Sequence, residues 1–419
     1  MSAVYSRTWY DDTCVSPSGL PSSVIQKKNF DFCIIGGGLA GLSCAYHLAE
    51  MGANVALCEH SVIGAGASGR NGGFCSAGWA AGLDQITRLV GPVVSKELEL
   101  IGADGLKWMR ERAFSEKYAK VQPISGIISL GLRGNRPEIN ARLDETELKE
   151  FVVGPRYKWG KIDNEAFHFH PLNFLKIFSQ EVVSHGVKVF ENTGVVQVNG
   201  TEVYFSNGNR ISADCMIWAT GGYSIGKNSI LKKFLLPIQT FICVTSPMPT
   251  ILERHIPTKM ALGDDRRAGN YFRRLPDDRL LWGMGVSALT QRSVDSIKRM
   301  GWKNIKAHFP AMMEEMKRDN IKFDYAWSGL MAYASHFMPY VGKLSDRESI
   351  LSGFGGHGMN TAPIAGKRMA LFLSGDPNIL DPFLEIPRRN IFGLIGRLGA
   401  EFEYRRLSAI DYIAETYGI

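Results

Sequence analysis

The sequence has no CxxC pair, no apolar run of bilayer length, no internal repeat and no low-complexity tract. Each absence removes a class of protein. The seven cysteines (Cys14, Cys33, Cys44, Cys58, Cys75, Cys215 and Cys243) are odd in number and widely spaced. They argue against a zinc site and against a disulfide framework, and they fit a reducing compartment. No metal site is expected. The first thirty residues are polar and lack an apolar core segment, so no secretory signal is expected. With no transmembrane run, the reading is a soluble, cytoplasmic protein. Basic stripes with interleaved aromatics are missing too. The net charge of +7 sits in short mixed runs such as Arg266, Arg267, Arg273 and Arg274, so nucleic acid is not an expected partner. That charge is compatible with an acidic small molecule.

What the sequence does have is glycine. The chain holds 45 glycines in 419 residues, many of them clustered, and clustered glycine marks backbone that turns tightly or approaches something closely. The length exceeds one compact core, so two domains are expected, interleaved along the chain. The first cluster lies in a βαβ pattern from about Phe30 to Glu59. An apolar strand (Phe32 to Ile35) runs into Gly36, Gly38 and Gly41, spaced GxGxxG. A helix with Leu39, Leu42, Ala45, Tyr46, Leu48 and Ala49 on a largely buried face follows. Gly52 ends it, and a strand from Asn54 to Leu57 leads to Glu59.

The three glycines have separate reasons: a tight turn, an approach of backbone to a pyrophosphate, and close packing of helix on strand. The pyrophosphate is expected at the helix N-terminus, where unpaired N–H groups and the dipole favour negative charge. Glu59 is placed to accept from ribose hydroxyls and would repel a 2′-phosphate, which disfavours NADP.

That fingerprint alone does not separate FAD from NAD. The stretch Gly64-Ala65-Gly66-Ala67-Ser68-Gly69-Arg70-Asn71-Gly72-Gly73 follows soon after. Its backbone, with the Ser68, Arg70 and Asn71 side chains, suits a ligand extending beyond a pyrophosphate. A surface loop is the competing reading. Two more strands end in glycine, Asp214 to Tyr223 (DCMIWATGGY) and Ile350 to Gly366 (ILSGFGGHGMNTAPIAG). A helix starting near Met359 and running to Gly375 would aim its N-terminus at the pyrimidine side of a flavin, with His357 beside it.

These segments resemble the D-amino-acid-oxidase-like superfamily of FAD enzymes, which includes glycine and sarcosine oxidases. The γ-glutamylputrescine oxidase-like branch is the most similar. The resemblance is carried by GASGRNGG (66–73), NYFRRLPDDRLLWGMG (270–285), FDYAWSGLMAYASHFMPYVGKL (323–344) and FGGHGMNTAPIAGK (354–367). It covers essentially the whole chain in order. It implies an α/β (overall α+β) fold, with a glutathione-reductase-like Rossmann FAD domain interleaved with a mostly antiparallel β-sheet substrate domain. The FAD domain is expected over 28–85, 155–225 and 340–385, and the substrate domain over 86–154 and 226–339. Residues 1–27 would be an N-terminal extension and 386–419 a C-terminal helical tail on the exterior. Substrate-domain strands are expected at Gly126 to Leu130, Phe241 to Thr245, Tyr271 to Arg274 and Leu280 to Met284, with a helix over Val294 to Met316.

The cofactor set implied is Gly36, Gly38, Leu39, Ala40, Gly41, Glu59, His60, Ala67, Ser68, Arg70, Asn71, Gly72 and Gly73. To these the resemblance adds Val195 (adenine), Thr220, Gly221, Gly355, Gly356, His357, Gly358 and Met359. No cysteine follows Cys243 to form a thioether, and no clear histidyl attachment point follows His60, so FAD is expected to be noncovalent. Family members oxidise a C–N bond by hydride transfer to flavin N5, from an amine that must be neutral. Trp327, Tyr333 and Tyr271 are the aromatic candidates for such a pocket, though aromatics at strand positions more often serve packing. His336 is a candidate base or polar wall. An amino-acid oxidase or dehydrogenase would instead need an arginine over the flavin, for which Arg266, Arg267, Arg273 and Arg274 are the regional candidates. Where some sarcosine-oxidase relatives carry an oxygen-activating lysine this chain has Leu280-Leu281-Trp282, which keeps dehydrogenase chemistry open. The putrescine-type branch also lacks that lysine, so the resemblance implies oxidation of a primary or secondary amine with O2 as acceptor, an oxidase before a dehydrogenase. A flavoprotein passing electrons to a partner is the remaining alternative, and a small amine or amino acid is the expected substrate.

Overall fold

The computed structural model describes residues 6–15, 29–132, 143–223, 231–266 and 269–417. Arg267 and most of the N-terminal extension lie outside the described residues. Two eight-stranded sheets organise the chain. The strand Asn29–Ile35 is the centre of the first, pairing in parallel with Val55–Cys58 on one side and Arg210–Trp218 on the other. Lys188–Phe190 and Glu348–Ser352 extend the parallel array outward. Tyr340–Lys343 closes one edge antiparallel, and the ribbon Val195–Asn199/Glu202–Phe205 adds antiparallel strands beside Arg210–Trp218. The last four residues of Asn29–Ile35, Phe32 to Ile35, form an unbroken apolar run because that part of the parallel strand is covered on both faces, whereas Asn29 and Asp31 at its start are exposed.

Two helices pack directly on this sheet, and a third packs on one of them. Leu39–Glu50 and Gly358–Leu373 cross so closely that a Cβ on Gly366 would lie 2.7 Å from the Ala40 carbonyl oxygen. The Ser43 hydroxyl donates to the Pro363 carbonyl (2.7 Å) at the same crossing. Leu83–Ala113, kinked at Gly91-Pro92, packs on Gly358–Leu373 and supplies Ile86, Leu98, Ile101, Leu106 and Met109 to the core they share.

The second sheet runs Phe323–Tyr333, Leu236–Thr245, Leu280–Ser287, Tyr271–Arg274, Ala261–Asp264, Ile124–Gly131, Trp159–His168, Phe74–Cys75. It is antiparallel throughout except where Ala261–Asp264 lies parallel to Ile124–Gly131. Its far face is sealed by Val294–His308 and Pro310–Arg318 over a stacked Phe272–Trp282 pair (ring centroids 4.6 Å apart).

Several sequence-based boundaries move. Trp159–His168, assigned by sequence to the cofactor domain, pairs with Ile124–Gly131 in the second sheet, and Phe74–Cys75 pairs with it there. Leu83–Ala113, assigned to the substrate domain, buries its apolar stripe in the first core. A strand's or helix's pattern says which face is apolar, not which of two cores receives it. The single helix expected over Val294 to Met316 is two, because Pro310 lacks an N–H and pushes Phe309 out of helical conformation (φ −135°, ψ 68°). The N-terminal segment is not merely an extension: its one-turn helix Trp9–Thr13, closed by a Thr8/Asp11 capping box, buries Trp9 and Tyr10 completely or nearly so. The tail helix Leu394–Tyr417 docks on the second sheet, with the Glu401 carboxylate accepting from Ser287 and Ala288.

Burial has a consequence for acid stability. It holds the imidazoles of His47 and His336 at pKa about 4 and those of His168, His170 and His308 at about 3, below the ordinary 6.5. The unfolded chain therefore binds more protons than the folded one between those values and 6.5. The stability contributed by these groups is complete above pH 6.5 and is lost as pH falls toward 3–4. Urea midpoints measured across that window are expected to fall steadily with acidification. A flat profile would show that the imidazoles are not held neutral.

Candidate active site

The parallel strands of the first sheet end together, and at their carboxyl ends lies a cavity of about 570 Å³. This is where ligands of open α/β sheets bind. Gly36 turns the chain there with φ +120°, and any Cβ on it would meet the Ala219 carbonyl oxygen at 2.5 Å. Gly41 packs its helix turn on that bend, with Cβ space only 2.1 Å from the Gly36 carbonyl oxygen. Gly38 caps Leu39–Glu50 without a side chain, and the Ser68 hydroxyl accepts from the Leu39 N–H at 3.1 Å. The Glu59 carboxylate accepts from the N–H groups of Gly37 (2.8 Å) and Ser61 (2.9 Å), which fixes it at the cavity wall.

Of the residues read from sequence, Gly36, Gly38, Glu59, His60, Ala67, Ser68, Val195, Thr220 and Gly221 line this one cavity. Leu39, Ala40 and Gly41 stand behind it as the first helical turn, with their side positions buried. Thr193, Trp218, Tyr223 and Glu348 also line it and were not anticipated. The Trp218 indole N–H donates to Glu348 at 2.6 Å, a pairing across adjacent strands 130 residues apart that no local pattern encodes.

The remaining cofactor candidates lie beyond this cavity, toward the second sheet. There Gly72 leaves room for the Tyr271 ring (2.6 Å from a Cβ), while Gly355 and Gly356 leave room for Tyr333 and Met331. Gly358–Leu373 begins at this point with no side-chain cap, so its first N–H groups point outward. Two side chains have other duties than the sequence implied. Asn71 donates its amide to the carbonyls of Ala67 and Ser68 and to Met359 Sδ, and accepts from Gly73 N–H, so it organises the loop. Arg70 reaches away, donating to the carbonyls of Ser6 (2.7 Å) and Ser328 (3.4 Å). The His357 ring is anchored on the Ala77 carbonyl (3.1 Å) at the start of the helix.

Among the substrate-side candidates, the structure separates walls from core. Tyr271 and Tyr333 share the sheet face turned toward Gly72 and Gly355-Gly356. Burial pushes the Tyr333 phenol up to about 12 and raises that of Tyr271, which hydrogen-bonds Thr240. Both stay neutral at ordinary pH. Gly329, opposite Thr240 in register, leaves open space, since a Cβ there would meet nothing within 4 Å.

Trp327 is different. It is fully buried, donates its N–H to the Arg70 carbonyl (2.8 Å) and packs edge-on against Tyr10. It is a core residue, not a pocket wall. His336 is also a structural residue: Nδ1 accepts from Met338 N–H and Nε2 is hydrogen-bonded to the Tyr340 hydroxyl, so neither nitrogen is available as a base. Arg273 is locked by the carbonyls of Gly72 and Phe169, His168 Nδ1 and the Tyr10 hydroxyl. Arg274 pairs with Glu253 and Asp278, and Arg266 with Asp264. None of these three is a spare carboxylate clamp. Among the described residues no group of three or more His, Cys, Asp or Glu could hold a metal ion, and no helix is long and apolar enough to cross a membrane.

An elongated dinucleotide fits these features. The Gly38 cradle has no side chain to fill it, and the Thr220 hydroxyl at the cavity wall is buried with no hydrogen-bond partner. A buried hydroxyl without a partner is costly unless something else supplies one. The parallel sheet and this cleft are those of a dinucleotide-binding α/β protein. Residues 31–371 match the family described as DAO, FAD dependent oxidoreductase, and the chain belongs to that family. Its cofactor is accordingly FAD. The chain is 29% identical over 413 residues to a probable oxidoreductase OrdL of Haemophilus influenzae, with 92% of each chain covered. It is 29% identical over 380 residues to gamma-glutamylputrescine oxidoreductase of Escherichia coli, with 85% of this chain and 86% of that one covered. The fold is that of glycine oxidase from Geobacillus kaustophilus (TM-score 0.64, 16% identity, 87% of this chain and 100% of that chain).

Proposed function

We propose that this enzyme oxidises a C–N bond of a primary or secondary amine, with FAD held noncovalently and O2 as electron acceptor. When bound, FAD supplies the two-electron acceptor for the carbon α to nitrogen. The observation that carries the substrate reading is the aromatic face of the second sheet, Tyr271 and Tyr333 around the open position at Gly329. Two neutral phenols in a part-buried wall give an ammonium no counter-charge, so the pocket favours the neutral amine the reaction requires. The Thr240 side chain reaches Tyr271 across the intervening strand Leu280–Ser287.

The cavity residues Gly38, Glu59, Ser68, Val195 and Thr220 are assigned to the adenosine and pyrophosphate. The turn Gly355-Gly356 and the helix start at Gly358 and Met359 are assigned to the flavin. The first sheet with the helices packed on it would be the FAD domain and the second sheet the substrate domain. An amine reading is preferred over an α-amino-acid one because Arg266, Arg273 and Arg274 are already engaged. The name of the Escherichia coli relative points the same way, toward an amine carrying a distant carboxylate. We place the enzyme in the cytoplasm, in keeping with seven free thiols, five of them buried.

Anaerobic mixing of the yellow protein with a panel of amines tests this. Bleaching of the flavin band by an amine with a remote carboxylate is expected, followed by peroxide release when air is admitted. Bleaching by α-amino acids alone would replace this reading with the amino-acid one. A reduced flavin that persists in air would replace the oxidase with a dehydrogenase.

A further inference from the structure

A second hollow, of about 410 Å³, opens at the other end of helix Leu39–Glu50, lined by Tyr46, His47, Trp108, Arg112, Lys367 and Leu371, with Glu50 and Met51 at its edge. Twelve residues of helix put it about 18 Å from the Gly38 end, so it is separate from the dinucleotide cleft. Its chemistry is cationic and unsatisfied. The Arg112 guanidinium lies 3.8 Å above the Trp108 ring, near Tyr46 and Phe178 as well. Stacking fixes the plane and leaves the N–H edges to find acceptors. Neither Arg112 nor Lys367 has a carboxylate partner among the described residues, and Arg112 Nε is buried with no acceptor at all.

The acids nearby are committed. Glu50 accepts from His47 Nδ1 at 2.7 Å and from the Tyr46 hydroxyl. Glu181 pairs with Lys117 at 2.9 Å. Because Nδ1–H is given to Glu50, the neutral His47 ring presents a bare lone pair at Nε2, and that atom too is buried without a partner. The hollow thus sets two cations against the single Glu50 carboxylate and adds a bare imidazole acceptor, so its complement is an anion that also carries a proton. Hydrogen phosphate and phosphate monoesters have both features in one group: anionic oxygens for Arg112 and Lys367 and a P–OH for His47. Apolar wall from Tyr46, Met51 and Leu371 would receive the organic part of an ester.

We infer that this hollow is a phosphate-type oxyanion site, distinct from the FAD site and formed by Arg112, Lys367 and His47. The test uses the FAD-loaded protein, so that the pyrophosphate cradle is filled, and follows binding of inorganic phosphate and of phenyl phosphate by calorimetry. One saturable equivalent is expected for either probe. Tighter binding of phenyl phosphate identifies an ester as the preferred source, and equal binding identifies the free ion. Arg112→Gln should weaken binding about tenfold or more, by loss of a charge-assisted bond, with flavin content unchanged. If Arg112→Gln fails to fold, Lys367→Gln, at a partly exposed position, should weaken binding severalfold in its place. Absence of saturable binding to the wild-type protein overturns the inference, as does affinity unchanged in a folded Arg112→Gln or Lys367→Gln protein.

Discussion

Replacing Gly38 with valine is expected to leave a folded protein that has lost its FAD. Gly38 has φ −82°, a conformation any residue adopts, and an added Cβ meets within 4 Å only the Ser68 side chain, with Oγ at 3.1 Å. The protein itself therefore tolerates the side chain with a small shift of one hydroxyl. The ligand does not, because a branched group at the helix N-cap takes the space where backbone N–H groups should meet the pyrophosphate. Flavin content, read from absorbance after unfolding, should drop about tenfold or more while far-UV circular dichroism is retained. Gly41→Val is the contrast. Its Cβ would lie 2.1 Å from the Gly36 carbonyl oxygen, which is backbone and cannot rotate away, so folding itself should fail. Full flavin content in a folded Gly38→Val protein would show that the dinucleotide does not lie against this turn.

The second large effect is on stability. Trp327→Ala is expected to cost about 3–5 kcal/mol, the range for deleting a large buried aromatic. The side chain is fully buried between Tyr10 and the strand Leu236–Thr245, and its removal also strands the Arg70 carbonyl that accepts its N–H. Trp327→Phe keeps most of the volume and loses the hydrogen bond, for a cost near 1 kcal/mol. Denaturant midpoints of the two variants measure the ladder. If Trp327 were a substrate wall instead, Trp327→Phe would raise KM and leave the midpoint in place, and that result would return it to the pocket.

Trp327 and His336 also show why one kind of residue resists sequence reading. Both sit in a segment whose pattern matches the family (323–344), and both are of types that enzymes use. Their duties are set by hydrogen bonds that a residue pattern does not show: Trp327 gives its N–H to the Arg70 carbonyl 257 residues away, and the turn after His336 folds the Met338 N–H and the Tyr340 hydroxyl onto its ring. Arg273 is the same case. Its four partners come from Tyr10, Gly72, His168 and Phe169, and only the packing of the N-terminal turn against two strands brings them together. Once those partners are in place the guanidinium has little left to offer a substrate carboxylate, which shifts the weight from amino acids toward amines.

By itself, the sequence determined the dinucleotide turn. Gly36, Gly38, Gly41 and Glu59 are consecutive parts of one local unit: Gly36 turns the chain at φ +120°, and Gly41 must clear the Gly36 carbonyl oxygen five residues before it. Local demands are written locally, so they can be read without the fold. The tertiary structure alone decided which sheet receives Trp159–His168, which core receives Leu83–Ala113, and which polar side chains are already spoken for. Those outcomes depend on pairings between residues far apart in the chain. Period and burial pattern fix a face, but the partner for that face exists only after the chain has closed on itself. The cationic hollow at Arg112 belongs to this second kind: three helices contribute to it, and none of the three carries the site alone.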